Sequence, residues 1–260
     1  MAPFGLCLTG VQLADLTASG RRRLYAALTT QGVLAVRGQR LSDAAFVRFL
    51  QRLGPMTFTE GEPPLAGQPQ LNLVSNVGRT RAPRSVFHSD TSYVQAPPSV
   101  TALRMVRAPQ RGGATQFCNQ YLAWEALSER QRRALRSARV LHIPTGVELD
   151  QAQRRGVWHP LARRHPHTGR VALYLSTPER CVDLRGVATA DPGALISELY
   201  EHSIASARRY VHRWRSGDVV LWDNRCTLHR ADHSEVVGDR VLHRGMCAGE
   251  APLAAFAERA

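Results

Sequence analysis

Apolar residues recur at helical spacing in a few stretches of this chain and form short blocks elsewhere. Leu24 to Leu28, followed by Val33-Leu34-Ala35-Val36, predicts a helix that runs into a short buried strand. Ser42-Asp43 stands ahead of residues 44–53, where Phe46, Phe49 and Leu50 keep helical spacing, and Gly54-Pro55 ends that helix. Residues 121–139 predict a longer helix, with Leu122, Leu127 and Leu135 in a stripe against Glu129, Arg130, Arg132 and Arg133. Another helix is expected over 194–208. Strand-like blocks fall at 99–106, 171–175, 218–222 and 240–246. Two polar, glycine-bearing stretches, 56–84 and 145–158, read as irregular, the first with one strand-like piece at Leu71-Asn72-Leu73-Val74. The pattern predicts a mainly β fold with flanking helices.

Length and composition narrow the class. The 260 residues carry 43% hydrophobic and 21% charged residues, which suits a packed globular chain and excludes disorder as its main state. With no internal repeat or Gly/Ser linker, one domain over 1–260 is expected, with lid insertions near 56–86 and 145–158. No apolar run approaches the roughly 20 residues of a membrane span. The first residues lack the basic and apolar regions of a secretory leader, so a cytoplasmic chain is expected. The net charge of +13 invites a nucleic-acid reading, but all 34 basic residues are arginine and they are scattered. Without a basic arm or an aromatic-interleaved platform, no specific nucleic acid and no membrane partner is expected. The five cysteines are widely spaced with no C-x-x-C pair, which predicts reduced thiols.

Most of the ten histidines suggest no chemistry. His165 and His167 lie in a turn-like Arg164-His165-Pro166-His167-Thr168-Gly169 and read as exposed or turn-stabilising; His202 and His212 sit among arginines and read as solvated. His88 and Asp90, in Phe87-His88-Ser89-Asp90, differ. In an extended segment positions i and i+2 project to one side, roughly 6.6 Å apart, and can converge on a metal ion. His229, after Leu221-Trp222-Asp223-Asn224-Arg225, can supply a third ligand. Two histidines and a carboxylate on one face leave open positions, as in non-haem Fe(II) oxygenases. Zinc accepts the same set, so a hydrolytic zinc enzyme stays open at this point, as does a basic nucleic-acid-binding protein. Arg240 and Arg244 follow in a strand-like block; strand rise separates them by roughly 13 Å, so they address different anions.

These motifs together resemble the taurine dioxygenase and 2,4-dichlorophenoxyacetate dioxygenase family of Fe(II)/2-oxoglutarate-dependent oxygenases. The likeness is carried by Phe87-His88-Ser89-Asp90, by Gly112-Gly113-Ala114-Thr115, by Trp222-Asp223-Asn224-Arg225 with His229, and by Arg240 eleven residues on. The resemblance implies a double-stranded β-helix, or jelly roll, with the iron at its mouth. It implies His88, Asp90 and His229 as metal ligands, and Thr115 and Arg240 on the distal carboxylate of 2-oxoglutarate. Arg244 matches an arginine that faces the substrate's anionic group, and Tyr174 falls where the family often has an aromatic near the substrate. The implied cofactors are Fe(II), 2-oxoglutarate and O₂, and the implied reaction is hydroxylation of an unactivated C–H, with release of succinate and CO₂. Desaturation or C–heteroatom cleavage is the alternative outcome, whereas the carboxylate at Asp90 argues against halogenation. The substrate is expected to be a small, anionic molecule: a carboxylate, a sulfonate or an amino-acid-derived metabolite. The residues that contact taurine in taurine enzymes have no counterpart in 57–60 or at Arg84-Ser85. A homo-oligomer is compatible with the sequence, which does not specify one.

Overall fold

The computed structural model describes residues 4–59, 62–79, 85–146 and 155–256, the side chain of Ser206 excepted. Its largest sheet orders Leu6–Leu8, Val33–Val36, Val219–Asp223, Val100–Arg107, Val241–Cys247, Gln68–Ser75 and Pro64–Leu65, with Met56–Thr57 also paired to Val241–Cys247. Facing it is a smaller antiparallel sheet of Arg209–His212, Thr115–Asn119 and Thr227–Ala231. The mainly β, helix-flanked jelly roll expected from the sequence is present.

Strand period explains how the layers divide. Val33 and Ala35 face the smaller sheet, packing with Leu103, Met105, Val220, Trp222, Leu242 and Phe117. Their neighbours Leu34 and Val36 face the other way, under helices Ala18–Gln31 and Asp43–Gln51, against Leu24, Leu28, Phe46, Phe49 and Leu50. Each such side chain, fully buried, contributes about 1.5–3 kcal/mol. Close helix–sheet approach demands Gly245, where an added Cβ would lie 2.4 Å from Leu50 Cδ1. Thr17 and Ser42 cap the two helices, each hydroxyl accepting a backbone N–H three residues on.

Three local expectations need correction. The long helix over 121–139 divides into Gln120–Glu125 and Glu129–Leu135. Ser128 restarts it with a capping box: its hydroxyl accepts from Gln131 N–H while the Gln131 side chain accepts from Ser128 N–H. The helix over 194–208 is Pro192–Ser203, followed by a 3₁₀ turn at Ser206–Arg208. The stretch 56–84 is not uniformly irregular: Met56–Thr57, Pro64–Leu65 and Gln68–Ser75 are strands of the large sheet. Residues 60–61, 80–84 and 147–154 of the two expected insertions lie outside the described residues.

Two histidines read as exposed or solvated, His165 and His212, are interior, and His202 is half-buried. His165 is wholly buried with Nε2 3.0 Å from Asp223, and its Nδ1 accepts from the backbone N–H of His167 and Thr168, so only its turn-stabilising reading holds. His212 is buried 3.1 Å from Asp218, and His202 bonds the Ala123 carbonyl. His142 and His159 stack edge to face beside Tyr174, with ring centroids 5.2 Å apart. Burial pushes His142 far below the usual imidazole range and His159 down to about 4.

The folded chain therefore resists protonating these rings, while the unfolded chain takes up protons near pH 6.5. Stability is full above that pH and falls as pH drops toward 4. From His159 alone, urea unfolding at pH 5 should read on the order of 2 kcal/mol less than at pH 6.5. His159→Gln should flatten that slope; a slope of opposite sign would contradict the burial argument.

Candidate active site

His88 and His229 come together through the backbone. Each residue's N–H donates to the other's carbonyl at 3.0 Å, an isolated bridge at the edge of the smaller sheet. The rings then lie 4.3 Å apart between centroids. Asp90 follows at the start of a turn, with Oδ1 3.8 Å from His88 Nε2 and 3.7 Å from His229 Nε2. The segment is thus not a regular strand, as the i and i+2 reading assumed, yet all three donor atoms fall within 4.8 Å of one another. His88 Nδ1 is engaged by the Val86 carbonyl at 3.0 Å, which leaves Nε2 free to ligate.

Charge states suit a divalent cation. Burial, only partly offset by Asp90, pushes His229 down to about 3 and also lowers His88. Burial opposes ionisation of Asp90, but His229, Arg244 and His88 together with the Thr101 hydroxyl outweigh it, and the carboxyl sits at about 2. Neutral imidazoles and an ionised carboxylate at neutral pH are the ligating forms, and the two-nitrogen, one-oxygen set fits Fe(II).

Asp90 is aimed by a buried relay whose direction is fixed by its first member. The Trp222 indole can only donate, and gives its N–H to Asn224 Oδ1 at 3.0 Å. The Asn224 amide nitrogen then donates to Thr101 Oγ1 at 2.8 Å, and the Thr101 hydroxyl to Asp90 Oδ2 at 2.7 Å. One carboxylate oxygen is occupied and the other is turned to the histidines. Thr101 carried no signal in the sequence; Trp222 and Asn224 stood in a recognised block without a readable role. Asp223 and Arg225 of that block form a separate buried pair, bonded at 2.7 and 2.8 Å, which ties the strand end to His165.

Arg240 lies further along the inner face. Thr115 is two positions from Phe117, the register partner of His229, so roughly 6.6 Å of strand separates the two levels. Arg240 is 2% exposed. Its Nε donates to the Gly113 carbonyl at 3.0 Å, and Nη2 reaches Thr115 Oγ1 at 3.5 Å. No carboxylate pairs with it among the described residues, and burial alone pulls its guanidinium down to about 10. A buried cation without a counterion is costly unless an anionic ligand completes it. Gly113 makes room: its φ is +72°, and an added Cβ would lie 2.9 Å from Arg240 Cδ.

Arg244 lies near enough for its charge to be felt at Asp90, and its Nη2 is paired with the Glu62 carboxylate, whose place beside it the sequence did not reveal. Tyr174 sits one layer back, its ring against His142 and His159 and under the Arg163 guanidinium at 4.7 Å. No helix among the described residues is long and apolar enough to cross a membrane.

Comparison with known proteins agrees with this geometry. The family model described as "Taurine catabolism dioxygenase TauD, TfdA family" matches residues 2–246. The alpha-ketoglutarate-dependent 2,4-dichlorophenoxyacetate dioxygenase of Cupriavidus pinatubonensis is 30% identical over 254 aligned positions, covering 86% of either chain. Pentalenolactone F synthase of Streptomyces arenae is 32% identical, covering 94% of this chain and 91% of its own. An alpha-ketoglutarate-dependent sulfate ester dioxygenase of Pseudomonas putida is 30% identical, covering 96% and 88%. Among solved structures, a taurine dioxygenase from Burkholderia xenovorans superposes with a TM-score of 0.84 at 31% identity, covering 97% of this chain and 90% of that one.

Two substitutions test the supports rather than the ligands. Thr101→Val should weaken Mn(II) binding about 10- to 100-fold, read from the free-ion EPR signal, because the Asp90 carboxylate loses its anchor. Gly113→Ala should weaken 2-oxoglutarate binding about tenfold by displacing Arg240, with Mn(II) affinity held within about twofold, as calorimetry on the metal-loaded protein would show.

Proposed function

The chain belongs to the TauD, TfdA family of dioxygenases, and on that premise we propose that it hydroxylates an unactivated C–H bond of a small, anionic substrate. It is an oxidoreductase that depends on Fe(II), 2-oxoglutarate and O₂. The observation that carries the reading is the pairing of a three-donor cluster able to hold a metal with a buried arginine that has no carboxylate partner among the described residues.

In this reading His88, Asp90 and His229 hold the iron, which supplies dioxygen activation coupled to decarboxylation of the 2-oxo acid to succinate and CO₂. Arg240 and Thr115 bind the far carboxylate of 2-oxoglutarate. The strand spacing between the Thr115 and His229 levels, roughly 6.6 Å, suits a five-carbon dicarboxylate whose other end reaches the metal. Trp214 donates to Thr115 Oγ1 at 2.9 Å, so that hydroxyl is oriented and its own proton is free for the ligand. Arg244 borders the substrate side directly, and Tyr174 backs the wall on which the substrate rests. Asp90 keeps its oxygen toward the histidines, which favours oxygen transfer over halogenation. Likeness to a sulfate ester dioxygenase favours a second outcome, in which hydroxylation beside a heteroatom leads to C–heteroatom cleavage.

Anaerobic addition of Fe(II) and 2-oxoglutarate should develop the weak visible band of the metal chelate. Under air with a true substrate, succinate should form in step with oxidised product. His88→Ala and Asp90→Ala should each reduce both signals to background. A purified wild-type protein that binds neither ion nor 2-oxoglutarate would refute the assignment.

A further inference from the structure

A second recess shares no residue with the triad or its supports. Helix Ala18–Gln31 packs on the outer face of the large sheet, and the turn at 166–168 stands beside it. Between them opens a cavity of about 620 Å³, bordered also by Arg52, just past helix Asp43–Gln51. Its walls are pinned to each other. The Tyr121 hydroxyl donates to the Thr29 carbonyl at 3.3 Å and lies 3.2 Å from Thr168 Oγ1, joining helix to turn. Tyr25 and His167 meet edge to face, with the Tyr25 hydroxyl 3.3 Å from His167 Nε2.

Arg21, Arg22 and Arg52 line this space, and among the described residues no acid does. Arg21 is steadied by its Nη1, which donates to the Leu16 carbonyl at 2.7 Å. The charges next to Tyr25 are matched among themselves, Arg225 with Asp223 and Glu250 with Arg163. Burial, and after it the Arg225 charge, pushes His167 below the usual imidazole range, so it is neutral at pH 8. Three positive charges are left unmatched at the cavity. The rest of its lining is apolar or hydroxyl-bearing, with Ala26, Leu53 and Tyr25 against Thr29, Thr30 and Thr168.

We propose that this cavity is a binding site for an organic phosphate monoester, a second ligand distinct from anything held at the triad. Such a head is doubly charged at pH 8 and presents three oxygens to guanidinium forks that bind bidentately. A sulfate or carboxylate head brings one charge and leaves two guanidinia unmatched. The volume leaves room for a compact apolar body against Ala26, Leu53 and Tyr25. Binding here requires neither a metal nor 2-oxoglutarate, and stands apart from the oxygenase reading.

Calorimetry on the full chain, freed of metal on a chelating resin and held at pH 8, provides the test. The probes are 1-naphthyl phosphate, 1-naphthyl sulfate, 1-naphthol and inorganic phosphate. The first should bind at least about tenfold more tightly than the sulfate or inorganic phosphate, and 1-naphthol should give no heat. Replacing Arg22→Gln together with Arg52→Gln should weaken 1-naphthyl phosphate at least about tenfold. Arg130→Gln with Arg133→Gln removes the same charge from another exposed helix face and should leave binding within about twofold. Ala26→Phe, which fills the cavity at constant charge, should also weaken binding at least about tenfold. Arg240→Gln should change it by less than about twofold, separating the cavity from the 2-oxoglutarate clamp. The proposal is overturned if 1-naphthyl phosphate shows no saturable binding, or if the sulfate, inorganic phosphate or 1-naphthol matches it. It is equally overturned if the two arginine pairs act alike, if Ala26→Phe binds like wild type, or if Arg240→Gln abolishes binding.

Discussion

Two reciprocal backbone hydrogen bonds between His88 and His229 hold the centre of this molecule together. They join residues 141 positions apart in the chain (229 − 88), and they sit where the smaller sheet ends and the loop carrying Asp90 begins. Without that bridge the two imidazoles have no common reference, and Asp90 has nothing to turn toward. Because the contact is made by main chain, side-chain chemistry at both positions stays free for ligation. The layered packing of Val33, Ala35, Val220 and Trp222 against Phe117 keeps the two sheets at the spacing the bridge needs.

The block Trp222-Asp223-Asn224-Arg225 shows how one short segment serves two tasks by alternating sides. Trp222 and Asn224 feed the relay that aims Asp90, while Asp223 and Arg225 lock the strand end to His165. Arg225 neutralises Asp223 in the interior, and the coupled pair drives the carboxyl far below its ordinary range. A buried pair of this kind adds little net stability over an apolar substitute, but losing one partner is costly. The segment is therefore rigid for electrostatic reasons, and the Asp90 carboxylate at the end of the relay inherits that rigidity.

Arginine performs different work in different places here. Arg225 and Arg163 are buried with carboxylate partners, Arg240 is buried with none among the described residues, and Arg244, whose charge is felt at Asp90, is paired with Glu62. The net charge counted along the chain carries none of these distinctions. What separates a structural guanidinium from a ligand-binding one is whether an acid stands within reach once the chain has folded.

Much was legible in the sequence, because it depends on local spacing. Helical recurrence marked Leu24 to Leu28 and 44–53, which fall in Ala18–Gln31 and Asp43–Gln51, while the family resemblance pointed to His88, Asp90 and His229, whose donor atoms the fold brings together, and to Thr115 and Arg240, which it sets side by side. Where local chemistry competes with periodicity the reading failed: Ser128 broke a helix whose apolar stripe ran straight through it. Only the tertiary structure decided that Thr101 supports Asp90, that Glu62 pairs with Arg244, and that His165 and His212 are interior. These are through-space pairings between residues remote in the chain. Charge compensation and burial arise from three-dimensional neighbours, and a one-dimensional pattern of residue types does not encode them.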